Sequence, residues 1–162
     1  MAELGTAFDP AAIYFYRGLA YGKKGEYDRA IADFNQAIQL NPKFAAAFYN
    51  RGNVYSDKGE YDRAIADFNQ AIQLHPKYAI AFNNRGNAYD KKGEYDRAIA
   101  DFNQAIQLNP KLAEAFYNRG NAYELKGDKV KAIESYRQAL ALAQTPQVKE
   151  FAQRRLKELE AN

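Results

Sequence analysis

One 17-residue phrase, KGEYDRAIADFNQAIQL, occurs three times in the sequence, at residues 24–40, 58–74 and 92–108. Its copies begin 34 residues apart, from residue 24 to 58 and from 58 to 92. Glycines recur with the same period at Gly18, Gly52, Gly86 and Gly120. A fixed period of this length is typical of a stacked array of one supersecondary unit, in which each unit packs on its neighbours.

Each unit has two apolar stripes with helical spacing. In the second unit the first stripe includes Phe48, Gly52 and Tyr55, and the second includes Ala64 and Phe68. A glycine between the stripes can adopt the left-handed conformation that ends a helix, and a proline after the second stripe stops that helix. These residues are Gly25, Gly59, Gly93 and Gly127, and Pro42, Pro76 and Pro110. The sequence therefore predicts a helical hairpin for each unit.

The pattern F-x-x-x-G-x-x-Y, then A-x-x-x-F-x-x-A, then P, resembles the tetratricopeptide repeat. The resemblance implies an all-α fold, a right-handed superhelical solenoid of antiparallel helix pairs. It also implies a concave groove, lined by the first helix of each pair, which usually holds a peptide or partner segment. The expected divisions are an N-terminal extension at 1–10, repeats at 11–44, 45–78, 79–112 and 113–146, and a C-terminal capping helix at 147–162.

The two ends of the chain differ in their expected packing. Residues 1–6, MAELGT, are interpreted as a vector remnant, and Asp9 and Pro10 can begin the first helix as N-cap and first helical residue. Residues 148–159 place apolar side chains on one face, which predicts a helix that closes the C-terminal end of the array. The first repeat has no such cap. We expect an apolar patch there that anchors a ligand side chain or another copy of the chain, formed by Phe15, Tyr16 and Leu19.

An arginine precedes the first-helix glycine in every repeat, where the family usually has a large aliphatic residue. A half-buried guanidinium needs a partner, and the second helices offer aspartates. Pairing within repeats would leave Arg119 without a carboxylate, because the fourth repeat has Ser135 at the aspartate position. We therefore favour pairing between repeats over pairing within them. The favoured ion pairs are Asp33–Arg51, Asp67–Arg85 and Asp101–Arg119, with anion binding by the arginines as the functional alternative.

The first helices of repeats two to four differ at five positions, four of which lie on the face expected to line the groove. This pattern fits a scaffold that presents a recognition surface, and it also fits drift at exposed positions. Two groove positions, three residues apart, hold asparagine in all three repeats, so each pair projects together. An asparagine amide can donate to and accept from a peptide backbone, and it can also brace neighbouring helices. The predicted peptide contacts are Tyr49, Asn50, Asn53, Asn83, Asn84, Asn87, Tyr117, Asn118 and Asn121.

The leading hypothesis is a non-catalytic scaffold, without cofactor or metal, that binds a protein or an extended peptide through an asparagine ladder. Acidic residues outnumber basic ones on the predicted groove face, which favours a neutral or basic segment. The acidic residues are Asp57, Asp90, Glu114 and Glu124, and the basic ones are Lys23 and Lys91. The basic residues with which the chaperone-tail adaptors of this family grip a C-terminal carboxylate are missing from the corresponding positions.

The alternative is a structural array that self-associates through the uncapped first repeat, by end-to-end stacking or helix exchange. The near-identity of three repeats also fits an engineered or truncated repeat protein without its own partner. An enzyme is disfavoured, because the only histidine, His75, replaces a turn asparagine, and no phosphate loop or nucleophile–base pair occurs. Interleaved charges with a net +3 give no basic stripe for nucleic acid. The lack of cysteine and of any long apolar run favours a cytoplasmic protein without membrane contact.

Overall fold

The computed structural model describes residues 9–161, so the predicted vector remnant at residues 1–6 lies outside the described residues. Between these limits the chain forms nine α-helices and no strand, which confirms the all-α repeat fold. Helices α1 to α8 form four hairpins and α9 follows them. Their bounds are α1 Pro10–Lys23, α2 Tyr27–Leu40, α3 Ala45–Asp57, α4 Tyr61–Leu74, α5 Ala79–Lys91, α6 Tyr95–Leu108, α7 Ala113–Leu125, α8 Lys129–Leu142 and α9 Pro146–Glu160.

The hairpins fall into two compact units, unit 1 over Met1–Leu74 and unit 2 over His75–Asn162. In unit 1, α1 packs on α2, α3 packs on α4, and the second hairpin stacks on the first through contacts of α3 with α2 and α1. In unit 2 the same arrangement joins α5 to α8, and α9 packs against α8 and α7. Each unit therefore buries its apolar stripes between neighbouring hairpins, as expected for a repeat array.

A glycine ends the first helix of every hairpin. Gly25, Gly59, Gly93 and Gly127 have φ between 75° and 88°, a left-handed conformation that a side chain would strain. In the first hairpin the Gly25 N–H donates to the Gly22 carbonyl at 3.0 Å, and the Glu26 N–H donates to the Tyr21 carbonyl at 3.0 Å. These two bonds satisfy carbonyls at the helix end and reverse the chain toward α2.

A second set of glycines fixes how closely the two helices of a hairpin approach. A Cβ atom added to Gly18 would lie 2.9 Å from Phe34, and one added to Gly86 would lie 2.7 Å from Phe102. The aromatic ring therefore occupies the space that any larger residue would need. Phe34 and Phe102 are almost completely buried, and each lies 16 residues after its glycine (34 − 18 and 102 − 86).

The ion pairs form within hairpins, so the predicted pairing between repeats is wrong. Arg17 donates to both carboxylate oxygens of Asp33 at 2.7 Å, and the same bidentate geometry recurs in the next two hairpins. The pairs are Arg17–Asp33, Arg51–Asp67 and Arg85–Asp101. The 16-residue separation that sets each glycine against its ring also sets the preceding arginine against the preceding aspartate.

Within each unit, the arginine of the second hairpin reaches the hairpin before it through a neutral acceptor. The Nη1 atom of Arg51 donates to Oδ1 of Asn35 in the preceding hairpin at 2.6 Å, and Arg119 reaches Asn103 in the same way at 2.9 Å. Arg119 also donates to Ser135 at 3.1 Å, so the acceptors that it reaches on both helices are neutral oxygens. The sequence argument failed because it assumed that every buried guanidinium requires a carboxylate, whereas amide and hydroxyl oxygens satisfy this one.

The N-cap of α1 and the packed face of α9 are formed as the sequence predicts. The Asp9 carboxylate accepts from the Ala11 N–H at 3.0 Å and caps α1, and Val148, Ala152 and Leu156 are buried on the packed face of α9. The predicted patch at the first repeat is wrong in composition, because Phe15 is only 9% exposed and belongs to the core of unit 1.

Candidate functional site

Unit 1 has a pocket of about 270 Å³ between α1 and α3, which we call the Leu19 pocket. Two of the predicted ladder residues, Asn50 and Asn53, lie in its wall, and two charged groove residues line it as well. Tyr49 does not line it, because its ring packs 6.1 Å from that of Phe68. The complete lining is Gly18, Leu19, Gly22, Lys23, Phe34, Asn50, Asn53, Val54 and Asp57.

Unit 2 has a larger pocket of about 480 Å³, which we call the α9 pocket because the start of α9 forms one of its walls. The predicted contacts Asn83, Asn84, Asn87, Tyr117 and Asn118 come together there. Helix α9 and the turn before α7 add residues that the sequence did not indicate. The other lining residues are Ile80, Leu112, Glu114, Thr145, Gln147, Val148 and Phe151.

A second pocket in unit 2, of about 380 Å³, shares three of these residues and is named the Asp90 pocket. Its wall is formed by the second half of α5 and the middle of α7. The lining is Asn87, Asp90, Lys91, Tyr117, Asn118 and Asn121. Because Asn87, Tyr117 and Asn118 line both pockets, the two are adjacent along the same pair of helices.

Three asparagines of unit 2 are linked to one another by hydrogen bonds. Asn118 donates to Asn83 at 3.1 Å, and Asn83 donates to Asn84 at 3.2 Å. Asn83 is only 3% exposed, so its main contact is with these neighbours. Asn50, in unit 1, donates to the Ala46 carbonyl of its own helix at 2.8 Å. Part of the predicted ladder therefore braces the helices, which was the structural alternative considered for it.

Asp90 is the residue with an unmet hydrogen-bonding requirement. Its Oδ1 atom is buried and has no hydrogen-bond partner. Among the residues that the structure describes, no other buried side-chain oxygen or nitrogen lacks one. Its other oxygen accepts only a long bond, 3.4 Å, from the Asn121 amide. Burial raises the pKa of Asp90 above its ordinary value, and the neighbouring Lys91 lowers it by a smaller amount. An ionised carboxylate in this position is short of donors.

Glu124 occupies the same repeat position one hairpin later and is fully engaged. The Tyr136 hydroxyl donates to it at 2.9 Å, and Arg155 of α9 forms an ion pair with it. Glu124 lines neither the α9 pocket nor the Asp90 pocket, because side chains of α8 and α9 bind it, and its place on the groove face stays a prediction. The sequence could not reveal this, because the position of α9 on α7 depends on tertiary packing.

Two aromatic candidates behave differently. The Tyr117 ring packs 5.4 Å from the Tyr136 ring and 6.1 Å from the Phe151 ring, and the residue lines both the α9 pocket and the Asp90 pocket. Burial raises the pKa of the Tyr117 hydroxyl. Tyr16, by contrast, is 67% exposed on α1, and Leu19 contributes to the Leu19 pocket.

The histidine, the possible metal ligands and the membrane-span candidates complete the survey of residues 9–161. His75 is exposed in the turn after α4, 5.3 Å from the ring of Tyr78. Within residues 9–161 no group of three or more histidine, cysteine, aspartate or glutamate side chains could hold a metal ion. None of the helices over the same residues is long and apolar enough to cross a membrane.

Family comparisons match nearly the whole repeat region. A profile described as TPR repeat matches residues 18–59, 52–93 and 86–127, and one described as Tetratricopeptide repeat matches residues 113–146. A search of curated protein sequences found no match.

Solved structures share the fold. A structure titled "Crystal structure of MamA protein" is 28% identical with a TM-score of 0.77, and the alignment covers 83% of this chain and 73% of that one. TTC0263, described as a thermophilic TPR protein in Thermus thermophilus, is 26% identical with a TM-score of 0.76, covering 92% and 80%. The MamA fragment from Desulfovibrio magneticus RS-1 is 24% identical with a TM-score of 0.77, covering 83% and 76%.

Proposed function

The chain belongs to the tetratricopeptide repeat family, and we propose that it is a non-catalytic scaffold whose first helices hold an extended segment of a partner protein. Tetratricopeptide repeat proteins are generally non-catalytic scaffolds, and their domains typically bind proteins or peptides. The fold and family therefore indicate a protein-interaction scaffold. The segment, its conformation and its contacts are the parts that we propose.

One observation supports the proposal most directly. The α9 pocket and the Asp90 pocket are adjacent, and asparagine amides line both of them. An extended segment presents backbone N–H and C=O groups at regular intervals, and an asparagine amide can donate to one and accept from the other. Hydrogen bonds among Asn83, Asn84 and Asn118 hold the amides in fixed orientations, so less side-chain entropy is lost on binding.

The charges of the three pockets favour a neutral or basic segment. Three carboxylates line them, Asp57, Asp90 and Glu114, against two ammonium groups, Lys23 and Lys91. The difference is small, and salt screens exposed charges, so backbone contacts rather than charge should supply most of the affinity.

The test is selection of binders from a random pool of labelled short peptides, followed by fluorescence anisotropy on the full chain. We expect Asn84→Ala and Asn87→Ala to weaken binding of the selected peptides by about fivefold each, since each removes about one hydrogen bond. Gln107→Ala is the matched control, because it removes an exposed amide from α6, outside the three pockets.

Two outcomes would contradict the proposal. The first is a pool that yields no peptide binding the full chain above the level of a scrambled protein control. The second is a set of selected peptides that bind the two asparagine variants and the Gln107→Ala control equally well, in which case the segment lies elsewhere.

Self-association through the first hairpin is a second candidate, supported by exposed apolar residues on α1. Ile13 is 47% exposed, whereas Ala47, at the same position of the second hairpin, is completely buried. The fourth hairpin of a second copy is a poor partner for the first hairpin. Arg137 stands at the position of Asn35, so stacking a second copy in the repeat register would bring Arg17 toward Arg137. Pairing of two first hairpins fits the candidate better than head-to-tail stacking.

Light scattering over a concentration series tests this candidate on the intact chain and on Ile13→Ser/Tyr16→Asn. Both changed side chains are exposed, so the variant keeps the core that Phe15 belongs to. Association of the intact chain that the variant loses would support the candidate, and a monomer at every concentration would exclude it.

A further inference from the structure

The carboxylate of Asp90 is not satisfied by contacts within the chain. Its Oδ1 atom is buried without a partner, and its Oδ2 atom accepts only at 3.4 Å from Asn121. The rest of the Asp90 pocket is formed by asparagine amides, Tyr117 and Lys91. The amides and the Tyr117 hydroxyl can donate hydrogen bonds but carry no charge, and Lys91 offsets the effect of burial on Asp90 only in part. An ionised carboxylate in such a site is stabilised best by a cationic group from outside the chain.

The neighbouring α9 pocket has a different character. Its wall includes Ile80, Leu112, Val148 and Phe151, so one region of it is suited to an apolar side chain. Glu114 and the shared asparagines supply the polar part of the same wall. An apolar site and an acidic site therefore lie side by side, with Tyr117 common to both.

We propose that the α9 pocket and the Asp90 pocket bind one extended segment through an apolar side chain and a Lys or Arg side chain at alternate positions, with Asp90 pairing with the cation. This inference rests on the proposed function, because it assigns the specificity of the segment held by the first helices. The recognition motif is apolar-x-cationic, or the same motif read in the opposite chain direction.

The spacing of the pockets supports alternate positions. From the helix residues that line each pocket and a rise of about 1.5 Å per residue, the pocket centres are about 3.5 Å apart along α7 and about 9 Å apart along α5, a mean of about 6 Å. An extended segment advances about 3.3 Å per residue, so side chains at positions i and i+2 are about 7 Å apart and point the same way. Adjacent side chains point to opposite faces and cannot occupy both pockets.

The Asp90 carboxylate can adjust to a ligand. Rotation about its χ2 torsion has a broad, two-fold profile, so either oxygen can turn toward the pocket while the other stays near Asn121. Lys91 lines the same pocket and repels a cation, but it is exposed, and its flexible stem lets the ammonium group move into solvent.

The experiment measures binding of labelled peptides to the full chain by fluorescence anisotropy. The probes carry Leu-Ser-Lys, Leu-Ser-Gln, Leu-Ser-Glu or contiguous Leu-Lys between identical Gly-Ser flanks, and each motif is also made in the opposite order. For the better order we expect Leu-Ser-Lys to bind about tenfold more tightly than Leu-Ser-Gln, because a charge-assisted hydrogen bond replaces a neutral one. The Leu-Ser-Glu and contiguous Leu-Lys peptides should be weaker still.

Asp90→Asn removes the charge and keeps the shape, so it should abolish the preference for Lys over Gln. Glu134→Gln is the matched control, since it removes an exposed carboxylate from α8 outside both pockets and should leave the preference intact. Asn84→Ala shows whether the probes use the groove at all.

The results separate this inference from the proposed function. Peptides that lose affinity with Asn84→Ala but show no Lys preference, or keep it in Asp90→Asn, overturn the cation site and leave the groove proposal standing. Probes that do not bind, or that bind regardless of Asn84→Ala, also overturn the cation site, and the random peptide pool then decides separately whether the groove proposal stands.

Discussion

The third and fourth hairpins of the chain satisfy their charged residues in opposite ways. In the third hairpin Arg85 has a bidentate carboxylate partner, Asp101, at 2.6 and 2.7 Å, while the groove carboxylate of Asp90 is short of donors. In the fourth hairpin Arg119 lacks a carboxylate, and the equivalent groove residue, Glu124, is engaged by α9. At this repeat position the third hairpin therefore has a carboxylate available to a ligand, and in the fourth hairpin the carboxylate is already bound by other side chains.

The electrostatics of the two arginines follow the same division. The hydrogen bond to Asp101 raises the pKa of Arg85 above its ordinary value. Burial lowers the pKa of Arg119, since Ser135 and Gln138 provide hydrogen bonds without a negative charge. Both arginines remain protonated at any physiological pH, so the difference concerns stability and not charge state.

The largest expected effect comes from removing the acceptor in each hairpin. Asp101→Ala should cost about 3 kcal/mol of unfolding free energy, because it leaves the largely buried guanidinium of Arg85 without its counter-ion. Ser135→Ala should cost less, about 1.5 kcal/mol, because it removes one hydrogen bond from the charged guanidinium of Arg119 and leaves those to Asn103 and Gln138. Urea denaturation of the full chain measures both, and equal losses would show that the carboxylate adds nothing beyond a hydrogen bond.

The two hairpins should respond alike where their packing is alike. A Cβ atom at Gly86 would lie 2.7 Å from Phe102, and one at Gly120 would lie 2.8 Å from Tyr136, so each Gly→Ala change should destabilise by about 1–2 kcal/mol through overpacking. Gly22→Ala is the control, because its Cβ would meet nothing closer than 3.8 Å. Thermal unfolding should show the control unchanged or more stable, since alanine favours the helix.

The sequence predicted the hairpins because their determinants are local. The positive-φ glycines, the glycine–aromatic contacts and the prolines after the second helices all recur with the period of the repeat. The ion-pair register was also present in the sequence, since Arg17 and Asp33 flank Gly18 and Phe34 at the same 16-residue separation. A count of the available carboxylates predicts pairing between repeats, because it ignores this 16-residue separation.

The candidate site was predictable only in part. Asparagines placed on the first-helix face do line the pockets, because helical periodicity determines the face on which a residue lies. The burial of Asn83 and the contribution of Phe151 depend on how α5, α7 and α9 pack, which no periodicity in the chain encodes. The distinction between Asp90 and Glu124 has the same origin, since Arg155 lies on the helix that is outside the repeat.

A substitution that gives the fourth hairpin the acceptor of the third should stabilise it. Ser135→Asp offers Arg119 a carboxylate at the position where the other hairpins already hold one, with an expected gain of about 1 kcal/mol. Ser135→Asn is the control for side-chain size. If both substitutions destabilise equally in urea denaturation, the pocket around Ser135 has closed on the smaller side chain, and the analogy between the hairpins fails there.

The smallest expected effect concerns the groove carboxylates, and its sign depends on pH. Because burial raises the pKa of Asp90, the folded chain binds this proton more tightly than the unfolded chain does. Its contribution to stability is therefore greatest at acid pH and is lost as the pH rises through the folded pKa. Asp90→Asn should match the parent chain below about pH 4 and exceed it at neutral pH by less than about 1 kcal/mol, since the residue is only half-buried.

Glu124→Gln should do the opposite at neutral pH, because Tyr136 and Arg155 would lose a charged acceptor. Urea denaturation at pH 4 and pH 7 compares the two variants with the parent chain. Destabilisation by Asp90→Asn at pH 7 would mean that Asp90 has a stabilising partner in the folded chain. The two hairpins would then use this position in the same way, and Asp90 would have no unmet demand for a cation. If Asp90→Asn stabilises the chain and Glu124→Gln destabilises it, the same repeat position holds a structural carboxylate beside α9 and an unsatisfied carboxylate in the groove. An unsatisfied carboxylate is what we expect of a binding residue.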